Sequence, residues 1–186
     1  MKLQSFFEKL QYIQSNDLRI IGGQPADPGE YPWQVMLVYR IFQTWLNSTT
    51  ERPKYVNTCG GTLISDQWVL TADHCMEKGR YSWNYQIVLG GYINPPDYQR
   101  NMPHNPNIDE KVVSLQKIVR HPNGGLLAYD IALLKMSTRV TFGPKVFPAC
   151  VPGPDYIFKN FKKVTTTGWG YTKTDQINGE NRTISQ

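Results

Sequence analysis

Long hydrophobic runs are missing from this sequence. Although 40% of its 186 residues are hydrophobic, no segment approaches the roughly 20 consecutive apolar residues that a transmembrane helix requires. Residues 1–18 place apolar side chains at helical spacing, and the longest uninterrupted run there is only two residues, as in Phe6-Phe7. A secretory signal peptide needs an apolar centre of about 7 to 15 residues. We therefore expect a solvated amphipathic leader, with neither a signal peptide nor a membrane span.

Charge of one sign is not concentrated anywhere either. The formal net charge is +5, but the basic residues are scattered and only Lys162-Lys163 are adjacent. A nucleic-acid interface requires clustered basic side chains. We therefore expect an ordinary solvated surface and no nucleic-acid partner.

Cysteine is scarce, with three residues in the chain and none at the spacing of a zinc site. Cys59 and Cys75 lie at the two ends of one strand-turn unit, which predicts a disulfide; closing a loop of about 15 residues contributes about 3 kcal/mol. Free thiols remain the alternative. The glycosylation acceptors Asn47-Ser48-Thr49 and Asn181-Arg182-Thr183 are typical of secreted proteins and favour the disulfide. Cys150 then has no partner within the chain.

Glycine and proline, in contrast, are abundant, with 15 and 13 residues spread along the chain. This distribution predicts many short strands joined by turns, and hence a mostly β structure. The polar, proline-containing stretch 43–57 predicts a long surface loop, and Gly60-Gly61 indicates close backbone approach at a turn. Apolar segments predict strands at 33–38, 68–70, 86–89, 111–120, 131–134 and 164–167.

Two polar side chains lie at the ends of predicted core strands. His74 follows the strand at 68–70, and Asp130 precedes the apolar segment 131–134. An aspartate at a strand end is most often a turn or cap residue. In nucleophilic catalysis, however, a histidine acts as the general base and a carboxylate fixed beside it orients the ring. His74 and Asp130 are the side chains that would have these roles. The other histidines, His104 and His121, lie in proline turns and are expected at the surface.

The segment Arg19-Ile20-Ile21-Gly22-Gly23 has the form of a cleavage site. Cleavage after Arg19 would free an α-amino group on Ile20, and the glycines would let this new terminus swing into an apolar pocket and pair with a buried carboxylate. The motif alone does not distinguish this role from that of any exposed loop arginine.

Six sequence blocks together resemble the trypsin- and chymotrypsin-like serine endopeptidases, in that family's order. The blocks are Arg19-Ile20-Ile21-Gly22-Gly23, Tyr31-Pro32-Trp33-Gln34-Val35, Cys59-Gly60-Gly61-Thr62-Leu63-Ile64, Val69-Leu70-Thr71-Ala72-Asp73-His74-Cys75, Asp130-Ile131-Ala132-Leu133-Leu134 and Thr167-Gly168-Trp169-Gly170.

This resemblance implies an all-β fold of two Greek-key barrels with the active site between them. Residues 1–19 would be a leader and activation segment. Residues 20–186 would be a partial protease domain, comprising the first barrel, the connector and the opening strand of the second. The resemblance also implies a secreted zymogen that acts on proteins or peptides, meets protein inhibitors and uses no cofactor.

In this family His74 would be the general base and Asp130 the carboxylate that fixes its tautomer. The attacking hydroxyl would come from a serine in a Gly-Asp-Ser-Gly-Gly-like segment, and the 186 residues contain no such segment. The oxyanion hole and the specificity pocket would come from the same later part of the domain. We therefore expect a truncated endopeptidase that is inactive as it stands. A non-catalytic homologue that serves as a binding module is the alternative.

Three features depart from the family pattern. Val164 stands where relatives often carry a cysteine that pairs with the second half of the domain, and Cys150 lacks the leader cysteine that some relatives use. Asp73 replaces the usual small residue before the histidine, which places a second carboxylate close to Asp130 as a competitor for the His74 ring. Gly91 stands where calcium-binding members supply a glutamate, so we expect no calcium or other metal.

Overall fold

A computed structural model of the chain describes residues 24–42, 53–76, 81–91, 93–94, 110–124, 128–153, 164–169 and 182–183. Over these residues the protein is all β, apart from 3₁₀ turns at Asp73–Cys75 and Ser82–Asn84. The strands are β1 (Gln34–Phe42), β2 (Pro53–Leu63), β3 (Trp68–Thr71), β4 (Tyr85–Leu89), β5 (Ile93–Asn94), β6 (Lys111–Arg120), β7 (Ala132–Met136) and β8 (Arg182–Thr183).

Six of these strands close into one antiparallel barrel. Their order around the barrel is β1, β2, β3, β7, β6 and β4, and β4 pairs back onto β1. Closure leaves no free strand edge in this sheet. The short strands β5 and β8 pair separately as a two-stranded sheet.

Alternate residues of β1 fill two different clusters. Val35 and Leu37 belong to the main core of the barrel, whereas Met36 and Val38 belong to a second cluster that also contains Trp169. Successive side chains of a strand face opposite sides of a sheet. Both sides of β1 are therefore covered, which explains why its apolar residues run without interruption.

The prediction of an all-β, trypsin-like fold is confirmed by this closed six-stranded barrel. The predicted strands at 33–38, 68–70, 86–89, 111–120 and 131–134 overlap with β1, β3, β4, β6 and β7, and the bounds agree at both ends only for β6. The second barrel stays a prediction. The leader 1–18 and the segment 19–23 lie outside the described residues.

Three local predictions of backbone structure differ from the observed one, and two of them concern β2. The predicted loop 43–57 is wrong over 53–57, because β2 begins at Pro53 and pairs with β1 as far as Phe42; residues 43–52 lie outside the described residues. Gly60 and Gly61 lie within this strand and not at a turn. The predicted close backbone approach is present at Gly61, where a Cβ would lie 3.0 Å from the Leu70 carbonyl.

The segment 164–167 is not a strand. A strand requires a ladder of backbone hydrogen bonds to a neighbour, and the residue pattern of one segment does not reveal whether such a neighbour lies beside it. A side chain anchors this segment instead, since the Thr167 hydroxyl donates to Oε1 of Gln34 at 2.6 Å.

Candidate active site

Three barrel strands bring the candidate catalytic residues together. Thr71 at the end of β3 pairs with Ala132 at the start of β7, and Ala132 pairs on its other side with Arg120 at the end of β6. His74 follows this row by three residues and Asp130 precedes it by two. The antiparallel register thus delivers two distant segments of the chain to one end of the barrel.

The Asp73–Cys75 turn holds His74 at the end of β3. The N–H of Met76 donates to the carbonyl of Asp73 at 2.9 Å and closes the turn. Cys75 is bonded to Cys59 of β2, with the two Cα atoms 6.0 Å apart. The predicted disulfide is confirmed, and it ties the turn that carries His74 to the barrel wall.

Asp130 contacts His74 through both carboxylate oxygens. Oδ2 lies 2.6 Å from the ring Nδ1, and Oδ1 accepts the main-chain N–H of His74 at 2.8 Å. Because an ionised carboxylate only accepts hydrogen bonds, Nδ1 carries the proton and the neutral ring keeps its lone pair on Nε2. The His74 side chain is 50% exposed. The arrangement therefore presents a histidine of fixed orientation whose free nitrogen can take up a proton.

The environment of Asp130 favours its ionised form. Partial burial raises the pKa of the carboxyl, but the hydrogen bonds from the ring and main chain of His74, the charge interaction with His74 and a backbone hydrogen bond from Asp73 lower it by more. The pKa consequently lies below its ordinary value of 3.8. Asp130 is a charged acceptor at neutral pH, as an orienting carboxylate must be.

The backbone before Asp130 has an unusual conformation. Tyr129 has φ of +55°, a left-handed value that is rare for a bulky residue. The Ile131 N–H donates to the Tyr129 carbonyl at 2.7 Å, and the Tyr129 ring stacks on His121 with a centroid separation of 4.4 Å. His121, expected at the surface, is thus partly buried by this contact. Strained residues of this kind persist where surrounding contacts hold them, often beside functional groups.

Asp73 is turned toward Arg120. Its Oδ1 accepts a hydrogen bond from Nη1 of Arg120 at 2.8 Å, and its side chain is 8% exposed. The second carboxylate that the sequence places beside His74 is therefore neutralised by an arginine 47 residues further along the chain.

Sequence comparisons identify the family of this chain. The family model described as Trypsin matches residues 20–186. The chain belongs to the trypsin family. Among its relatives, the suppressor of tumorigenicity 14 protein homolog of Bos taurus is 32% identical over 158 residues, which cover 83% of this chain and 16% of that protein. Ovochymase-2 of Mus musculus is 35% identical over 155 residues, which cover 82% of this chain and 22% of that protein. The chain thus matches less than a quarter of the length of either relative.

A possible metal-ligand cluster in this trypsin-family chain is explained by the disulfide. Ligand atoms of Cys59, His74 and Cys75 lie within 4.8 Å of one another, and Nε2 of His74 is 3.7 Å from the Cys75 sulfur. The two sulfurs are bonded to each other, so neither is the thiolate that binds zinc.

The remaining predicted site residues divide into two groups. Cys150 is exposed and free. Arg19, Ile20, Asn47, Asn181 and His104 lie outside the residues that the structure describes. Within those residues, no helix is long and apolar enough to span a membrane.

Sequence reasoning missed Arg120, the partner of Asp73. The available signal was Asp73 itself, because a carboxylate at the end of a core strand requires a cation when it is buried. The chain has 20 lysines and arginines, and selecting the right one requires the register of β6 on β7.

Proposed function

We propose that this chain supplies the general base and the orienting carboxylate of a serine-type endopeptidase. The observation that carries the proposal is the double contact of Asp130 with His74, which fixes the ring and leaves Nε2 available. The chain's membership of the trypsin family supports the same function.

In this mechanism, Nε2 of His74 takes the proton of a serine hydroxyl as the oxygen attacks the scissile carbonyl carbon. The same nitrogen then returns the proton to the departing amine, and the Asp130 carboxylate stabilises the imidazolium that exists between these steps. The serine and the oxyanion-hole donors would come from a Gly-Asp-Ser-Gly-Gly-like segment, which the 186 residues do not contain. The reaction needs no cofactor.

Activation would follow cleavage between Arg19 and Ile20. The new amino group of Ile20 would pair with a buried carboxylate of the later segment and order the oxyanion hole, so the uncleaved form would be a zymogen. The Cys59–Cys75 disulfide fits an oxidising, extracellular environment, and the substrates would be proteins or peptides.

The coding sequence downstream of Gln186 provides the first test. We expect it to encode the Gly-Asp-Ser-Gly-Gly-like segment. The extended product, cleaved after Arg19, should react with a serine-directed fluorophosphonate at that serine, and residues 1–186 alone should remain unlabelled.

Three variants of the extended product make this test specific. His74→Ala and Asp130→Ala should abolish labelling, whereas His104→Ala, a matched loss of another histidine, should leave it unchanged. A stop codon directly after Gln186 would favour the binding-module alternative. Full labelling of the His74→Ala variant would show that the base lies elsewhere.

A further inference from the structure

A second ion pair lies directly behind the candidate catalytic base. The residue before His74 is Asp73, whose side chain is 8% exposed, and its partner Arg120 is 33% exposed. An ionised carboxylate at such a depth is strongly unfavourable unless a cation and hydrogen bonds compensate it. The pair therefore has to form whenever the barrel is folded around it.

Arg120 holds both ends of the turn that presents His74. Besides its bond to Oδ1 of Asp73, Nη1 lies 3.5 Å from the Asp73 carbonyl, and Nη2 donates to the carbonyl of Met76 at 2.5 Å. The planar guanidinium can satisfy several acceptors in a fixed arrangement, which a lysine ammonium cannot reproduce. One side chain of β6 thus contacts both the first residue of the turn and the residue that follows it.

The 121–124 segment closes the space on the other side of the Asp73 carboxylate. A Cβ atom at Gly124 would lie 3.3 Å from Oδ2 of Asp73 and 2.9 Å from the carbonyl of His121. The absence of a side chain at position 124 therefore leaves room for the carboxylate in its position beside Arg120.

We propose that Arg120 is a positioning residue for His74, because it holds the Asp73 carboxylate away from the ring and leaves Asp130 as the carboxylate that orients it. Without Arg120, the Asp73 carboxylate would lose its cation, and its approach to Nε2 of the neighbouring His74 ring would favour the Nε2–H tautomer, since a carboxylate only accepts hydrogen bonds. Two carboxylates would then compete for one imidazole, and their mutual repulsion would disturb Asp130 as well. The catalytic meaning of this inference rests on the proposed function, whereas the geometry it predicts does not.

The test measures the tautomer of His74 in the 186-residue protein. With ¹⁵N-labelled histidine, two-bond ¹H–¹⁵N spectra distinguish Nδ1–H from Nε2–H rings, and His74→Gln assigns the signals. The parent should show the Nδ1–H tautomer at a pH where the ring is neutral. In Arg120→Met, the ratio of Nδ1–H to Nε2–H should fall about tenfold or more, the effect of weakening one hydrogen bond to a charged group.

The decisive comparison is the double variant Asp73→Ala with Arg120→Met. It lacks the competing carboxylate, so the Nδ1–H tautomer should return to the parent level, and Asp73→Ala alone should resemble the parent. Arg139→Met is the matched control, because it breaks the distant and more exposed Arg139–Asp66 pair and should leave the His74 spectrum unchanged.

An unchanged ratio in Arg120→Met would overturn the proposal. A loss that persists in the double variant would also overturn it, because Arg120 would then act only through the turn carbonyls. If Arg120→Met does not fold, Arg120→Lys with and without Asp73→Ala provides the same comparison under the same criteria. A parent protein without the Nδ1–H tautomer would instead contradict the orientation that underlies the proposed function.

Discussion

One carboxylate, that of Asp130, accepts both the ring Nδ1–H and the main-chain N–H of His74, at 2.6 and 2.8 Å. The main-chain hydrogen bond fixes the position of the His74 backbone, and the ring hydrogen bond fixes the orientation of the imidazole. Two bonds from one rigid group restrict the imidazole more than a single contact does, so its free nitrogen keeps one direction.

Asp130→Asn should destabilise the folded protein at neutral pH. The amide keeps the shape of the carboxylate but loses the charge-assisted hydrogen bonds. We expect a loss of about 1 kcal/mol in the free energy of unfolding, since the side chain is one-third exposed and solvent screens the interaction. Urea unfolding at pH 7 measures the difference.

The effect of Asp130→Asn should depend on pH in a defined direction. The folded-state pKa of Asp130 is lowered from 3.8, so its ionised form contributes stability above that value, and the contribution is lost as the pH falls through 3.8 toward the folded-state pKa. The difference between parent and variant should therefore shrink as the pH falls below about 4. A difference that persists undiminished well below about pH 4 would contradict this assignment.

Removal of the disulfide should lower the free energy of unfolding by about 3 kcal/mol, because the unfolded chain regains the conformational entropy that a closed loop of this length removes. The variant is Cys59→Ala with Cys75→Ala, and urea unfolding under oxidising conditions measures its stability. Cys150→Ser is the matched control because Cys150 is exposed and free, and it should change stability by less than about 0.5 kcal/mol. Equal stability of the parent and the double variant would contradict the prediction.

Adjacent glycines of β2 should differ in their tolerance of alanine. A Cβ at Gly61 would lie 2.9 Å from a Val69 methyl and 3.0 Å from the Leu70 carbonyl, inside a packed sheet. A Cβ at Gly60 would lie 3.1 Å from the amide nitrogen of Gln34 and no closer than 3.7 Å to a backbone atom. Gly61→Ala should lower the free energy of unfolding by about 1 to 3 kcal/mol, and Gly60→Ala should lower it clearly less. Thermal unfolding of both variants measures the two losses of stability. Equal losses would show that the sheet relaxes around the new side chain at position 61.

Calcium should not stabilise this protein. Gly91 provides no carboxylate at the position where calcium-binding relatives have one, and a Cβ there would lie 3.1 Å from Oε1 of Glu110. Ligand binding to the folded state raises the melting temperature, so millimolar calcium should leave it unchanged. Magnesium at the same concentration controls for ionic strength, and a rise specific to calcium would show that other ligands compensate for Gly91.

Much of the barrel was predictable because its strands carry the pattern that burial demands. The segment Lys111–Arg120 is rich in apolar β-branched residues and ends at a proline turn, and β6 has those bounds. The start of β2 was not predictable, since 53–57 is polar and becomes a strand only because β1 is long enough to pair with it. The residue pattern of a segment indicates which of its side chains are buried. The length of a strand depends also on the neighbouring strand with which it pairs.

The site divides in the same way. His74 and Asp130 were predictable because His74 follows one apolar strand, Asp130 precedes another, and the motifs around them are distinctive. The pairing of Asp73 with Arg120 was not, because it depends on the register of two strands that are far apart in the sequence. Its absence from the prediction left Asp73 as a competitor for the ring, and the structure instead directs its carboxylate to the arginine.

The row formed by Thr71, Ala132 and Arg120 also has a consequence for folding kinetics. His74 and Asp130 are separated by 56 residues and meet only when β7 has docked between β3 and β6. Contacts between such distant residues form slowly, because a long loop must close first. The hydrogen bond between the two side chains is therefore expected among the late events of folding, and its appearance would report that the barrel has closed.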